Sequence, residues 1–362
     1  MLGIERHLFP GGNTCYGFYS FYEYMVTPEV ERKIILKGGP GVGKSTFMAE
    51  IARKFAARGV DIEYHWCSSD NLSLDGIVVG NNRICLVDGT HPHIVDPRYP
   101  GAVDEIINLG DYWNRDLLKK SRKFIIQLTQ EISKCFGRAY SKLKQAKVSL
   151  EELKSYYWEY TDCWAVNRNI LALGADFVNG FKPSSRKPRH LFAGAITPQG
   201  TVTKIDSTID KDFELVLVQG NPGTGTKQLF KHVSGLLELN NSYAEVLHNP
   251  FDPEDIDAIV VFEPKVALID ITPVLINYRD YIKSNRIKRF LDFDQFITSD
   301  RNQQLITSAK NQFLSGISEA ISLIQAAKSL HDELEGYYLP AMDFARINEV
   351  REGLFAELNR LI

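Results

Sequence analysis

The residues richest in chemistry form one run, Gly38-Gly39-Pro40-Gly41-Val42-Gly43-Lys44-Ser45, followed by Thr46. It is a complete G-x-x-x-x-G-K-[ST] pattern, whose glycines let backbone N–H groups face phosphate oxygens. A helix opening at Lys44 would add the partial positive charge of its N-terminus. Lys44 is expected to reach the β- and γ-phosphates and Ser45 to hold Mg²⁺. Asp88 closes the apolar stretch Ile84-Cys85-Leu86-Val87. A carboxylate at the end of such a strand is the second Mg²⁺-organising group of phosphate-loop nucleotidases. Ser45 and Asp88 are therefore the expected metal residues.

Three further groups qualify for roles in chemistry. Asp70, in His65-Trp66-Cys67-Ser68-Ser69-Asp70, is placed to act as a general base or to orient water or magnesium. Equally, it is placed to cap a turn. Arg98 suits a γ-phosphate sensor, and suits a surface ion pair as well. His91 and His93 follow the Asp88 strand and are absent at the matching place later in the chain. Two histidines make a weak metal site, and Mg²⁺ prefers oxygen. Gly89 and Thr90, not a glutamate, follow Asp88, which argues against the branches that keep a water-activating glutamate there.

These residues need a strand, a turn and a helix to hold them. Lys33-Ile34-Ile35-Leu36-Lys37 precedes the glycines as a β-rich stretch, and Phe47, Ile51 and Phe55 follow at helical spacing up to Gly59. Asp61–His65, Ile77–Val79 and Ile84–Val87 read as further strands, the last two around a Gly-Asn-Asn turn. Alternating strands and helices imply an α/β fold, a mostly parallel sheet covered by helices. From about 115 to 178 the period changes. Ile125, Leu128, Ile132, Cys135, Ala139 and Leu143, then Leu150, Leu153, Tyr157 and Trp164, recur every three or four residues. This spacing predicts a long helical hairpin broken near Val148-Ser149, its stripe either core or the face of a lid.

The chain repeats itself. Arg6-His7-Leu8-Phe9 returns as Arg189-His190-Leu191-Phe192, and Gly38–Gly43 as Gly220-Asn221-Pro222-Gly223-Thr224-Gly225. His65, Asp70, Asp75 and Asp88 match His248, Asp252, Asp257 and Asp270. Leu153–Tyr157 matches Leu334–Tyr338, and Asp162 matches Asp343. One nearly constant offset across separate segments means duplication. With linker composition at Lys182–Pro188, the expected modules are 1–184 and 185–362, the second with its own hairpin at about 302–362. In the copy, Gly220, Gly223 and Gly225 keep backbone donors, but Thr226-Lys227 replaces Lys44-Ser45. One residue of slip turns a helical side chain by about 100°. Lys227 is expected to point away from a phosphate, leaving a degenerate second site.

Composition bounds the rest. The chain has 362 residues and a net charge of −3, so the charge balance offers no case for nucleic acid or an anionic membrane. No apolar run reaches membrane-spanning length, and the first residues lack a signal-peptide pattern. Five scattered cysteines without C-x-x-C spacing fit reduced thiols in a cytoplasm.

The tandem arrangement, Gly38–Ser45, Leu86-Val87-Asp88-Gly89-Thr90-His91-Pro92-His93 and Asp96–Glu105 resemble a bacterial family of tandem P-loop ATPases of nucleotide-kinase-like type. The resemblance covers essentially the whole chain and implies ATP and Mg²⁺ as cofactors; it supplies no acceptor. Thr226-Lys227 departs from a paired two-site mechanism. The expectation is an internal pseudo-dimer with one working ATPase site and one regulatory or structural partner site. A small-molecule or nucleotide kinase and a non-hydrolysing nucleotide-binding scaffold are the alternatives. The implied partners are a nucleotide and either a protein or a small-molecule acceptor.

Overall fold

The computed structural model describes residues 3–91, 94–299 and 302–362. Its first half carries β1 (Glu5–Leu8), β2 (Gly11–Thr14), β3 (Gly17–Ser20), β4 (Arg32–Lys37), α1 (Lys44–Ala56), β5 (Ile62–Trp66), β6 (Leu74–Val79), β7 (Ile84–Asp88), β8 (Asp104–Asn108), α2 (Arg115–Lys120), α3 (Arg122–Trp158) and α4 (Cys163–Val178). The second half repeats the plan with β9 (Arg189–Phe192), β10 (Gly194–Thr197), β11 (Gly200–Thr203), β12 (Glu214–Gln219), α5 (Thr226–Leu239), β13 (Glu245–His248), β14 (Ile256–Phe262), β15 (Lys265–Asp270), β16 (Ile287–Asp292), α6 (Gln303–Tyr338) and α7 (Phe344–Leu358).

Each half builds one six-stranded sheet, in the orders β1-β5-β6-β7-β4-β8 and β9-β13-β14-β15-β12-β16. The order is the same in both, as duplication requires. Neighbours run parallel except around β6 and β14, each of which is antiparallel to both its partners. The β6–β7 reversal passes through Gly80, Asn81 and Asn82, all at positive φ, as a tight two-way turn needs. The apolar runs of β4, β6 and β7 are buried on both faces. One face carries Ile34, Leu36, Ile77, Val79 and Leu86 beneath α1. The other carries Ile35, Val78, Cys85 and Val87 beneath Met25 and Val30.

The compact units are not the two halves of the sequence. The first contains the chain up to Pro10, Tyr22–Arg138 and Ser322–Ile362; the second contains Gly11–Phe21 and Ala139–Ile321. The compact units therefore do not follow the expected modules 1–184 and 185–362. The reason is helix length. The stripe Ala139, Leu143, Ala146, Leu150, Leu153 and Tyr157 is buried without interruption, so α3 runs through Val148-Ser149 for 37 residues, about 55 Å. Burial of the stripe overrides the modest helix propensity of valine and serine. The turn comes instead at residues 159–162, where Asp162 caps α4 by accepting from Ala165 N–H at 3.0 Å. Asp343 does the same for α7 from Arg346 N–H at 3.2 Å, which explains why this aspartate is repeated.

Each sheet thus receives the arm of the other half. In the first unit Ile347, Leu354 and Leu358 of α7 share a core with Phe47, Ile51 and Phe55 of α1. In the second, Val166, Ile170 and Val178 of α4 pack with Leu229, Phe230, Val233 and Leu237 of α5. The predicted stripe is core from Ala139 to Tyr157, whereas Ile125, Ile132 and Cys135 are half-buried and Trp164 is 83% exposed. No described helix is long and apolar enough to cross a membrane.

Candidate functional site

Gly38–Gly43 links the buried strand β4 to α1. Gly43 sits just before the helix at φ 88°, a left-handed conformation that a side chain would strain, and so turns Lys44 into the first helical position. Lys44 Nζ donates to the carbonyls of Gly39 (2.9 Å) and Gly38 (3.2 Å) and lies 3.5 Å from Asp88 Oδ2. Asp88 reaches it because β7 runs parallel to β4, with Leu36 and Asp88 in register. Ser45 Oγ accepts from Leu74 N–H at 3.0 Å and so stands beside the start of β6. The strand–turn–helix context therefore brings Lys44 to Asp88 and places Ser45 beside Leu74, the residue before Asp75.

Thr90, which sequence reasoning passed over, joins these parts. Its N–H donates to Asp88 Oδ1 (2.8 Å) and its Oγ1 to Gly38 O (3.0 Å), tying the strand end to the loop. Thr272 repeats both bonds with Asp270 (2.9 Å) and Gly220 (3.1 Å). The available signal was the shared Asp-x-Thr spacing in the two halves.

The other expected residues lie around this core. Asp70 accepts from Leu72 N–H (3.3 Å) and Ser73 Oγ–H (2.9 Å), and Lys328 of α6 approaches its Oδ2 to 3.4 Å. Its oxygens serve a turn and an arm. Arg98 is exposed, its guanidinium 5.4 Å from the Tyr99 ring centroid. Its loop is fastened by Asp104, which accepts from the N–H groups of Arg98 and Tyr99. His91 is exposed; His93 lies outside the described residues. Lys37 Nζ donates to Gly89 O (2.8 Å) and Val95 O (2.9 Å).

The arm contributes directly to the loop. Glu335 of α6 accepts from Gly41 N–H at 3.2 Å. A Cβ on Gly39 would stand 2.8 Å from the Tyr338 ring. A carboxylate therefore occupies one of the loop's backbone donors. His331 Nδ1 lies 3.7 Å from Glu335, and with Asp332 they form the one three-membered cluster of metal-competent side chains among the described residues.

The second loop has the same backbone and different chemistry. Gly225, at φ 109°, precedes α5, so Thr226 and Lys227 take the helical places of Lys44 and Ser45. Lys227 Nζ turns between two carboxylates, 2.6 Å from Asp257 and 3.0 Å from Asp270, and donates to Ile256 O at 3.2 Å. Burial alone would lower its pKa, but Asp257, Asp270 and Asp255 outweigh burial and raise it. Asp255 is pushed up by burial and held below its ordinary value by Lys154, Lys227 and Lys231. The loop's donors are engaged: Asn221 N–H and its amide both bond Asp294 at 2.8 Å. A Cβ on Gly223 would stand 2.2 Å from the carbonyl of Lys154. The cavity left over Lys227, Asp257 and Asp270 holds about 60 Å³, against roughly 300–1,000 Å³ for a small-molecule site.

The repeat also aligns the arms. Lys147 meets Asp252 at 2.5 Å as Lys328 meets Asp70, and Lys154 stands where the first site has Glu335. Comparison with known proteins gives no match to any family model, curated protein or solved structure.

Proposed function

We propose that this chain is a Mg²⁺-dependent ATP-binding protein that hydrolyses ATP at Gly38–Ser45, with the Gly220–Lys227 loop as its degenerate structural or regulatory counterpart. The observation that carries this reading is the convergence of Lys44, Asp88 and the glycine turn at the head of α1. The loop N–H groups and the α1 N-terminus bind and orient the phosphates. Lys44, now held by the carbonyls of Gly38 and Gly39, swings to the phosphate oxygens, where its charge stabilises the transferring group. Ser45 and Asp88 form a hard oxygen set suited to Mg²⁺, which supplies charge neutralisation at the β- and γ-oxygens when bound. Glu335 gives up Gly41 N–H as phosphate arrives, so occupancy of the loop is felt by α6.

Purified protein is expected to release ADP and phosphate from Mg-ATP. Lys44→Ala should cost about 10²–10³-fold in kcat, the usual cost of removing one preorganised charge-stabilising donor. Undiminished turnover in that variant would remove the assignment to the first loop. Gly89 and Thr90 after Asp88 support a second reading, a scaffold that binds nucleotide and barely turns it over. Lys44-dependent binding with negligible ADP formation would select it.

A further inference from the structure

The two modules treat the same pair of acids differently. In the second, Asp257 is the second residue of β14, Asp270 ends β15, and the ammonium of Lys227 lies between them. Asp257 is held in place by Tyr278 Oη–H (2.7 Å) and the Asn249 amide (3.0 and 3.1 Å). Both acids are nearly inaccessible, at 3% and 5% exposure, so two carboxylates here need a positive partner. In the first module the equivalent acids are Asp75, also 3% exposed and bonded by Tyr22 Oη–H at 2.5 Å, and Asp88. They lie one step past the last registered pair of β6 and β7, Gly76–Val87, as Asp257 and Asp270 lie one step past Ala258–Ile269. The helical place of Lys227 is taken by Ser45, a neutral oxygen ligand.

We propose that Lys227 is a tethered substitute for a divalent cation, so the second module is permanently neutralised and takes neither metal nor Mg-nucleotide. The position of its ammonium marks the cation site of the first module, where Asp75 joins Asp88 and Ser45 as a metal-holding residue. The second statement deepens the function proposed above; the first stands on the Lys227 geometry alone. The donor set, two carboxylates and a hydroxyl, is that of Mg²⁺ or Mn²⁺.

Mn²⁺ alone, counted by loss of its free electron paramagnetic resonance signal, tests both. The wild-type chain should take one ion. Lys227→Ser, which recreates the first module's hydroxyl, should take two. Asp75→Asn should weaken the wild-type site about 10-fold or more. The melting midpoint of Lys227→Ser should fall without metal and recover with Mg²⁺, whereas that of Lys227→Met should fall and ignore it. Two ions on the wild type, or a Lys227→Ser chain that takes no second ion, would overturn the tethered-cation assignment. Undiminished Mn²⁺ binding by Asp75→Asn would overturn the role of Asp75. Should both Lys227 variants fail to fold, Lys227→Met combined with Asp257→Asn and Asp270→Asn decides: recovered folding supports the assignment and continued failure rejects it. Nucleotide is added last. One Mn²⁺ without nucleotide binding sinks the proposed function and leaves the cation assignment standing. Lys44-dependent nucleotide binding beside a metal-blind Lys227→Ser sinks only the latter.

Discussion

The loop at Gly38–Ser45 and the loop at Gly220–Lys227 leave equivalent strands, pass a left-handed glycine and enter equivalent helices. Each is closed on its strand by the same threonine. What separates them is the place of one lysine. At the first helical position, Lys44 lies along the loop carbonyls, 3.5 Å from Asp88. One position later, Lys227 drops between Asp257 and Asp270 and is consumed by them. The arms follow the charge. Glu335 approaches the loop whose lysine lies along its own carbonyls, and Lys154 approaches the acids gathered around Lys227. One backbone therefore carries two different charge arrangements, set by which helical position holds the lysine.

The most severe way to break the contrast is to remove Lys227. Lys227→Met leaves Asp257 and Asp270 buried without their cation, and such a loss costs about 3–5 kcal/mol. Urea denaturation should register it in the second unit, and the same change at Ser45 should cost far less because no cation is removed there.

A comparable effect should come from pH. His248 is buried against His190, with Nδ1 of one 2.8 Å from Nε2 of the other, and Phe21 lies 4.6 Å from its ring centroid. Burial first, and His190 second, lower its pKa from 6.5 to about 4, against a smaller opposing pull from Pro253 O, Asp257 and Asp255. The unfolded chain then binds the proton more readily. Stability from His248 is present above pH 6.5 and is lost as pH falls toward 4, by about 3 kcal/mol in all. His190 and His248 both lie in the second unit, so this acid sensitivity should register there. Denaturation midpoints between pH 4 and 7 should flatten in His248→Gln; an unchanged slope would assign the loss elsewhere.

What could be read without coordinates was local. The glycine-rich turn, its flanking strand and helix, and the period of the arms depend on residues within a few turns of each other. The slip at Thr226-Lys227 was legible as a changed helical position for the lysine, because a helix fixes the angle between successive side chains. It did not tell what Lys227 meets, since Asp257 is thirty residues away on the one reversed strand of its sheet. The break expected at Val148-Ser149 failed for a related reason: the apolar stripe continues through Leu150 and Leu153, and packing outranks two weak helix formers. That continuity carries α4 to a different unit, and Glu335 reaches Gly41 from 294 residues along the chain. Spacing within one segment holds no trace of either. The exchange left one legible mark, the opposite charges of Lys154 and Glu335 at matched places in the repeat.

Glu335 sharpens the comparison at smaller scale. Its bond to Gly41 N–H is long, at 3.2 Å, and a hydrogen bond to a charged group in such a setting contributes about 1 kcal/mol. Glu335→Ala should therefore tighten ATP binding several-fold by titration calorimetry. Lys154→Ala, at the matched place of the second module, should leave ATP affinity unchanged. A drop in kcat at constant affinity in Glu335→Ala would instead make the carboxylate a participant in hydrolysis.

The smallest effect is expected at Asp70, and it discriminates most finely. A general base there would cost about 10²-fold or more in kcat when neutralised. Its oxygens, however, are taken by Leu72 N–H, Ser73 Oγ–H and Lys328, and the equivalent Asp252 makes the same lysine contact in the other module. A role shared by two modules whose loops differ in charge is docking of the arm. The Asp70–Lys328 pair keeps 25% and 21% side-chain exposure, so solvent screens it to about 0.2–1 kcal/mol. Asp252 keeps only 2%, and Asp252→Asn should cost distinctly more. Asp70→Asn and Lys328→Met should each lower the melting midpoint slightly, their effects should not add in the double variant, and kcat should stay put. A collapse of kcat in Asp70→Asn that Lys328→Met fails to reproduce would return Asp70 to the chemistry.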